Sequence, residues 1–178
     1  SSGSVYCWGR GSWVGDSTLD DRSVPVNLGL SVGVSKLASS WIHTCALTVD
    51  GRVLCWGGVS GGLGDGVDRD YREEAITPNF TAAFPEGRYA VDLAVATHGT
   101  CALLDNGSVS CWDDNDTPRE GRVFGPGIKA TALHSDPWYA DDSGTGRVCA
   151  TLDNNSMPCW NPSGYGTPNW IEPAPKYI

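Results

Sequence analysis

The chain has 178 residues, enough for one ordinary domain, with 23 Gly, 11 Pro, 7 Cys and 8 Trp but a single Met. Its 12 Lys+Arg against 21 Asp+Glu leave a net charge of −9, the wrong sign for gripping a nucleic-acid backbone. No run approaches the roughly 18 apolar residues of a membrane helix, and scattered Gly and Pro with few strong helix formers exclude a helix-rich fold. No signal peptide is present, and the start at Ser1 points to a processed product or a fragment. An all-β, acidic, soluble protein is expected.

In chain order, the first recognisable element is Gly3-Ser-Val-Tyr-Cys7-Trp8-Gly9. It returns as the second half of Cys45-Ala-Leu-Thr-Val-Asp-Gly-Arg-Val-Leu-Cys55-Trp56-Gly57. Further copies are Cys101-Ala-Leu-Leu-Asp-Asn-Gly-Ser-Val-Ser-Cys111-Trp112 and Cys149-Ala-Thr-Leu-Asp-Asn-Asn-Ser-Met-Pro-Cys159-Trp160. The Cys-Trp pairs at Cys7, Cys55, Cys111 and Cys159 lie 48, 56 and 48 residues apart, an internal repeat. Upstream, Lys36-Leu-Ala38, Asp92-Leu-Ala94 and Ala130-Thr-Ala132 mark another strand in each unit. The approximate repeats are 3–50, 51–106, 107–154 and 155–178, the last incomplete.

Each Cys-to-Cys segment alternates apolar and polar residues about Asp50-Gly51, Asn106-Gly107 or Asn154-Asn155, the pattern of a hairpin. A three-residue loop Val49-Asp50-Gly51 needs its third residue left-handed, which Gly51 supplies and Asn155 tolerates. That loop sets Cys45 opposite Cys55 as a non-hydrogen-bonded pair, where side chains come closest. Disulfides Cys45–Cys55, Cys101–Cys111 and Cys149–Cys159 then fit the geometry, with buried free thiols as the alternative; the spacing is long for a zinc site. Three even pairs point to an oxidising, extracellular location. Cys7 is the odd one, expected free or bridged outside this segment.

Trp13-Val-Gly-Asp-Ser-Thr-Leu-Asp-Asp-Arg-Ser-Val-Pro25, Leu37-Ala38, His43-Thr-Cys-Ala-Leu47, Gly51-Arg-Val-Leu-Cys-Trp-Gly57 and Leu63-Gly-Asp-Gly66 together resemble a repeat of the regulator of chromosome condensation family. The Cys-x9-Cys-Trp form resembles a secreted subtype. The resemblance implies a β-propeller of four-stranded blades, usually seven to a ring. The chain is then an all-β partial propeller of about 3.5 blades with disulfide-stapled hairpins. Aligning Gly3 with Gly51 and Ile178 with Val26 leaves both ends mid-blade, to be completed by a longer protein or another chain. The third unit departs, losing the Leu-Gly-Asp-Gly landmark after Trp112 and inserting a long loop with His134 and Trp138-Tyr139. Neither the loops of nucleotide exchange nor the tryptophan motifs of an ultraviolet photoreceptor are matched.

Candidate sites follow. Asn79, Asn106, Asn115 and Asn154 head N-glycosylation sequons, two of them at hairpin tips. Trp8, Trp56, Trp112 and Trp160 share one repeated position and are expected to pack between blades. Trp41, Trp138 and Tyr139 lie in loops, where aromatics stack on sugars or anchor protein partners. His43 and His98 precede paired cysteines and suit structural hydrogen bonds. Acid runs around Asp16–Asp21, Asp65–Asp70 and Asp113–Asp116 complete no calcium loop, and turn-forming Asp explains them. No cofactor is expected, calcium being the one metal these runs leave open. With no nucleophile elbow, P-loop or metalloprotease motif, no enzyme is expected. A structural or adhesive extracellular repeat module of a cell-surface, matrix or filament assembly is the leading reading. Its partner would be a protein or further copies of the chain completing the blades. A ligand-binding propeller, lectin-like or protein-inhibiting, is the alternative.

Overall fold

The computed structural model describes residues 3–58, 62–66, 79–80, 83–113, 118, 123–136 and 146–162. Among them the chain is β-structure except for one helical turn, α1 (Gly11–Val14), and a 3-10 turn at Pro85–Gly87. The strands are β1 (Tyr6–Gly9), β2 (Arg22–Asn27), β3 (Val34–Ser39), β4 (His43–Thr48), β5 (Val53–Gly57), β6 (Asn79–Phe80), β7 (Ala90–Ala96), β8 (Gly99–Leu104), β9 (Val109–Asp113), β10 (Ala130–Asp136), β11 (Arg147–Leu152) and β12 (Cys159–Trp160). They form four antiparallel sheets: β1-β2, β3-β4-β5-β6, β7-β8-β9 and β10-β11-β12. These are propeller blades, the second with all four strands described. The sequence repeat cuts each sheet at its hairpin turn, so one repeat supplies the outer half of one blade and the inner half of the next.

Local chemistry sets each central hairpin. Thr48 donates its N–H to Arg52 and accepts from Gly51, and Gly51 sits at φ 80°. Asn155 takes the same left-handed place at φ 64°. The resulting register pairs Leu47 with Val53, Ala46 with Leu54 and Cys45 with Cys55. Disulfides join Cys45–Cys55, Cys101–Cys111 and Cys149–Cys159, with Cα–Cα distances of 4.1, 4.1 and 4.0 Å, the spacing of non-hydrogen-bonded pairs. Closing loops this short stabilises each hairpin by roughly 2–3 kcal/mol on the chain-entropy model.

The core lies between blades. Trp56 and Trp112 are fully buried and Trp160 nearly so. Trp112 packs on Phe84 and Trp160 on Phe124, each with ring centroids 6.0 Å apart. The indole edges of Trp56 and Trp112 also rest on a glycine of the preceding blade's loop. A methyl group on Gly15 would stand 2.9 Å from Trp56 Nε1, and one on Gly64 2.7 Å from Trp112 Cδ1. Trp8 does not follow this pattern. It is 63% exposed, because β1 pairs only with β2 and no preceding loop among the described residues covers the ring.

The inner strands β3, β7 and β10 are cross-linked by Asp92. Its carboxylate takes the Lys36 ammonium at 2.5 Å and accepts the backbone N–H groups of Leu93 and Leu133, both at 2.8 Å. Burial alone would raise its pKa; Lys36 and the two N–H groups outweigh it and hold the group below the usual carboxylate range. Ser135 Oγ accepts the N–H of Val95 across the same seam at 2.9 Å.

Substituting alanine for Gly64 or Gly15 should therefore destabilise by about 3 kcal/mol, since indole and backbone must separate. Gly29 shares the left-handed backbone but has open space around it, so Gly29→Ala should cost only about 1 kcal/mol. Urea unfolding of the three variants checks this; equal losses would mean that backbone strain, not interblade contact, sets the cost.

Candidate functional site

The loop end of the first two blades carries exposed aromatics. Trp41, in the β3–β4 turn, is 60% exposed, and Trp13, in α1, is 39% exposed. The Arg10 guanidinium lies 5.1 Å from the centre of the Trp13 ring, a cation–π contact. Gly58 ties the two loops together. Its N–H donates to the Ile42 carbonyl, and its face lies against Trp13 Nε1. Residues 10–13 and 40–42 thus form one surface, from two different blades. Trp41 was legible as a loop aromatic; Trp13 was not, because it sat inside a family landmark. Trp138 and Tyr139 lie outside the described residues, as does Asn115.

Beside this surface is a cleft of about 490 Å³ lined by Asp16, Arg22, Asn27, Leu28, Leu30 and Leu54, among others. Asp16 closes one side. Its Oδ1 accepts from the Thr18 hydroxyl at 2.8 Å, and its Oδ2 takes Arg22 Nε at 2.5 Å. Burial pushes the Asp16 pKa up, but Arg22 and Thr18 together leave it below the ordinary value. Asp21 accepts the N–H of Gly11 at 3.0 Å. The Asp16 and Asp21 carboxylates of this acid run are engaged in shaping the loop. Among the described residues no three His, Cys, Asp or Glu side chains gather as a metal site would require.

The other candidate positions are local. Asn106 Oδ1 accepts the N–H and hydroxyl of Ser108 at 3.0 and 2.7 Å; Asn154 does the same with Ser156 at 3.0 and 2.6 Å. Both sequons lie at hairpin tips, Asn154 exposed and Asn106 half-buried. Asn79 belongs to the outer strand β6. Cys7 is unbridged and half-buried; burial pushes its thiol pKa up, and the Trp56 indole draws it partway back.

His43 is buried between blades. Thr100 donates its hydroxyl to the Gly62 carbonyl at 3.1 Å, so it accepts from His43 Nε2 at 2.8 Å, leaving Nδ1 to accept from Ser40 Oγ at 2.9 Å. The network assigns a neutral imidazole protonated at Nε2. Desolvation, with a smaller contribution from His98, lowers its pKa to about 3. In the strand register Gly99, not His98, stands where His43 stands, so the two histidines are one place apart. His134 is exposed on β10 and pairs with the Thr151 hydroxyl at 2.8 Å.

The model of the Regulator of chromosome condensation (RCC1) repeat matches residues 34–60. The human E3 ubiquitin-protein ligase HERC2 is 31% identical over 144 residues, covering 75% of this chain and 3% of the ligase. The Ultraviolet-B receptor UVR8 of Arabidopsis thaliana is 28% identical over 111 residues, covering 61% of this chain and 24% of the receptor. Among solved structures, Prp20p of Saccharomyces cerevisiae, which binds Gsp1p and histones, superposes with a TM-score of 0.67 at 21% identity, over 88% of this chain and 40% of that one. The chain spans less than half of each.

The buried neutral His43 has a consequence for acid stability. Its pKa is about 3 folded and near 6.5 unfolded, so the unfolded state binds more protons between those values. Its contribution is complete above pH 6.5 and is lost, by about 1.4 kcal/mol per pH unit, as the pH falls toward 3. In His43→Gln this slope between pH 6 and 4.5 should flatten, with about 1–3 kcal/mol lost at neutral pH from the unpaired hydroxyls. Urea midpoints across that range measure both; an unchanged slope would remove His43 from the account.

Proposed function

On the premise that this chain is built of regulator of chromosome condensation repeats folded as β-propeller blades, we propose that it is an extracellular, non-catalytic protein-binding module. Its role is structural or adhesive, within a larger cell-surface, matrix or filament assembly. The observation that carries the binding role is the surface formed by Arg10, Trp13 and Trp41. Two exposed indoles and a stacked guanidinium are the side chains most enriched among binding hot spots. Trp41 stands on the turn that enters the bridged β4–β5 hairpin, and the Gly58 N–H holds that turn through the Ile42 carbonyl, so little conformational freedom is lost there when a partner docks.

Three disulfides within hairpins support an oxidising compartment. The sequons at Asn106 and Asn154 suit the same route, Asn154 standing exposed at its hairpin tip. A protein rather than a sugar is the expected ligand, because the Arg10 guanidinium already lies over the Trp13 ring, where lectins offer a bare ring face beside hydrogen-bonding groups. Prp20p supplies a precedent for a propeller of this kind acting through protein contacts.

Wild-type chain and a Trp13→Ala, Trp41→Ala double variant should be compared on a panel of extracellular proteins and a glycan array. At least one protein should bind, and the double variant should lose roughly 2 kcal/mol of that affinity, about thirtyfold. Equal binding by the variant, or binding confined to glycans, would overturn the protein-binding reading. Thiol alkylation of protein taken from its own source should leave the six hairpin cysteines unlabelled; labelling at any of them would overturn the compartment.

A further inference from the structure

The cleft beside the aromatic surface is built from two loops of the first blade and one strand of the second. Residues 26–32 alternate, so that Leu28, Leu30 and Val32 pack toward Val5, Ala46, Leu54 and Trp56 while Gly29 and Ser31 stay in solvent. That packing leaves all three half-buried, and with Leu54 they give the cleft its apolar lining. Asp16, Ser17 and Arg22 supply a polar side from the other loop. The volume of about 490 Å³ lies within the roughly 300–1,000 Å³ usual for small-molecule sites.

Arg22 is held in one orientation at this cleft. Its Nε donates to Asp16 Oδ2 at 2.5 Å and its Nη2 to Thr18 Oγ1 at 2.9 Å. Asp16 is fixed in turn by the Thr18 N–H at 3.1 Å and hydroxyl at 2.8 Å, and its side chain is only 6% exposed. One edge of the planar guanidinium, Nε with Nη2, is therefore spent on the loop. The other edge, Nη1 with the second N–H of Nη2, has no acceptor among the described residues. A guanidinium clamped along one edge loses little freedom when the open edge takes a second acceptor.

We propose that this cleft binds an aliphatic monocarboxylate, a fatty acid of medium length, its head on the open edge of Arg22 and its chain against Leu28, Leu30, Val32 and Leu54. The head follows from geometry, because a carboxylate meets a guanidinium fork with two parallel N–H···O bonds. Asp16 offsets the charge of Arg22, so no net positive charge is left for a dianion such as phosphate. No aromatic side chain lines the cleft among the described residues, so nothing there favours a sugar or a planar ring. A peptide end would need backbone donors beside its carboxylate. The Gly29 N–H is already given to Asn27 Oδ1 at 2.9 Å, and the Leu28 N–H to the Val5 carbonyl at 3.0 Å.

The test titrates octanoate into the 178-residue chain and follows the leucine and valine methyl groups by NMR. Trp13 and Trp41 do not line the cleft, so this site and the protein-binding surface are tested separately. The expected result is a saturable shift at Leu28, Leu30, Val32 and Leu54, with affinity rising about threefold per methylene from butanoate to octanoate. Octan-1-ol and octylamine keep the tail but not the head, and should bind roughly tenfold more weakly to the unaltered chain. Arg22→Lys keeps a charge beside Asp16 but loses the fork; it should weaken octanoate about tenfold and leave octan-1-ol unchanged. Octan-1-ol binding as tightly as octanoate, an affinity independent of chain length, or an unchanged octanoate affinity in Arg22→Lys would each overturn the proposal. So would shifts confined to other methyl groups, or tighter binding of inorganic phosphate or of the peptide acetyl-alanyl-leucine.

Discussion

An indole edge laid on a bare backbone holds one blade to the next. Trp56 reaches Gly15 and Trp112 reaches Gly64 at separations that leave no room for a methyl group. A blade is a thin sheet that cannot bury both faces alone, so its apolar residues must be covered by its neighbours. That requirement explains the composition of the faces. Val95, Ala102 and Trp112 of the third blade share one buried cluster with Leu47, Val53 and Leu63 of the second. The fourth blade repeats the arrangement through Leu133, Val148 and Trp160 against Val109 and Ala96 of the third. At Trp8, where no such loop lies among the described residues, the residue in the same strand position is 63% exposed.

Two kinds of polar link then hold the stacked blades in register. At the inner strands, Asp92 gathers Lys36 and the Leu133 N–H, so a single carboxylate touches three blades. At the start of β4, the imidazole of His43 spans from Ser40 to Thr100 and onward to the Gly62 carbonyl. Both are satisfied networks, and a buried polar network whose members all have partners specifies one arrangement of the elements around it. The disulfides act in a different direction. Each bridges adjacent strands within a blade, stiffening the sheet without constraining how the blades stack.

What could be read from the amino-acid order was whatever chemistry settles within a few residues. The turn at Asp50-Gly51, the substitution of Asn155 for glycine and the pairing of cysteines ten residues apart depend only on hairpin geometry. The structure carries all three. Periodicity was a weaker guide to environment. It placed Trp8 with Trp56 correctly along the strand but said nothing about whether a neighbouring blade covers it. Spacing from the cysteines likewise suggested that His43 and His98 are alike, yet one residue of offset puts His43 in the core and gives Gly99 that place in the next blade. The Asp92 cross-link and the approach of Trp13 to the 40–42 loop were out of reach, because their partners lie far away in sequence.

The proposed binding surface inherits its shape from this interblade packing. Arg10 and Trp13 belong to the loop that leaves β1, whereas Trp41 belongs to the turn between β3 and β4 of the next blade. The loop from β1 also carries Gly15, the residue on which Trp56 rests, only two positions beyond Trp13. Seating the indole of one blade therefore places the aromatic of the other. The exposed aromatic surface and interblade stability draw on the same short stretch, residues 10–16. A substitution there acts on both, whereas one at Trp41 changes the surface and leaves the packing of Trp56 on Gly15 untouched.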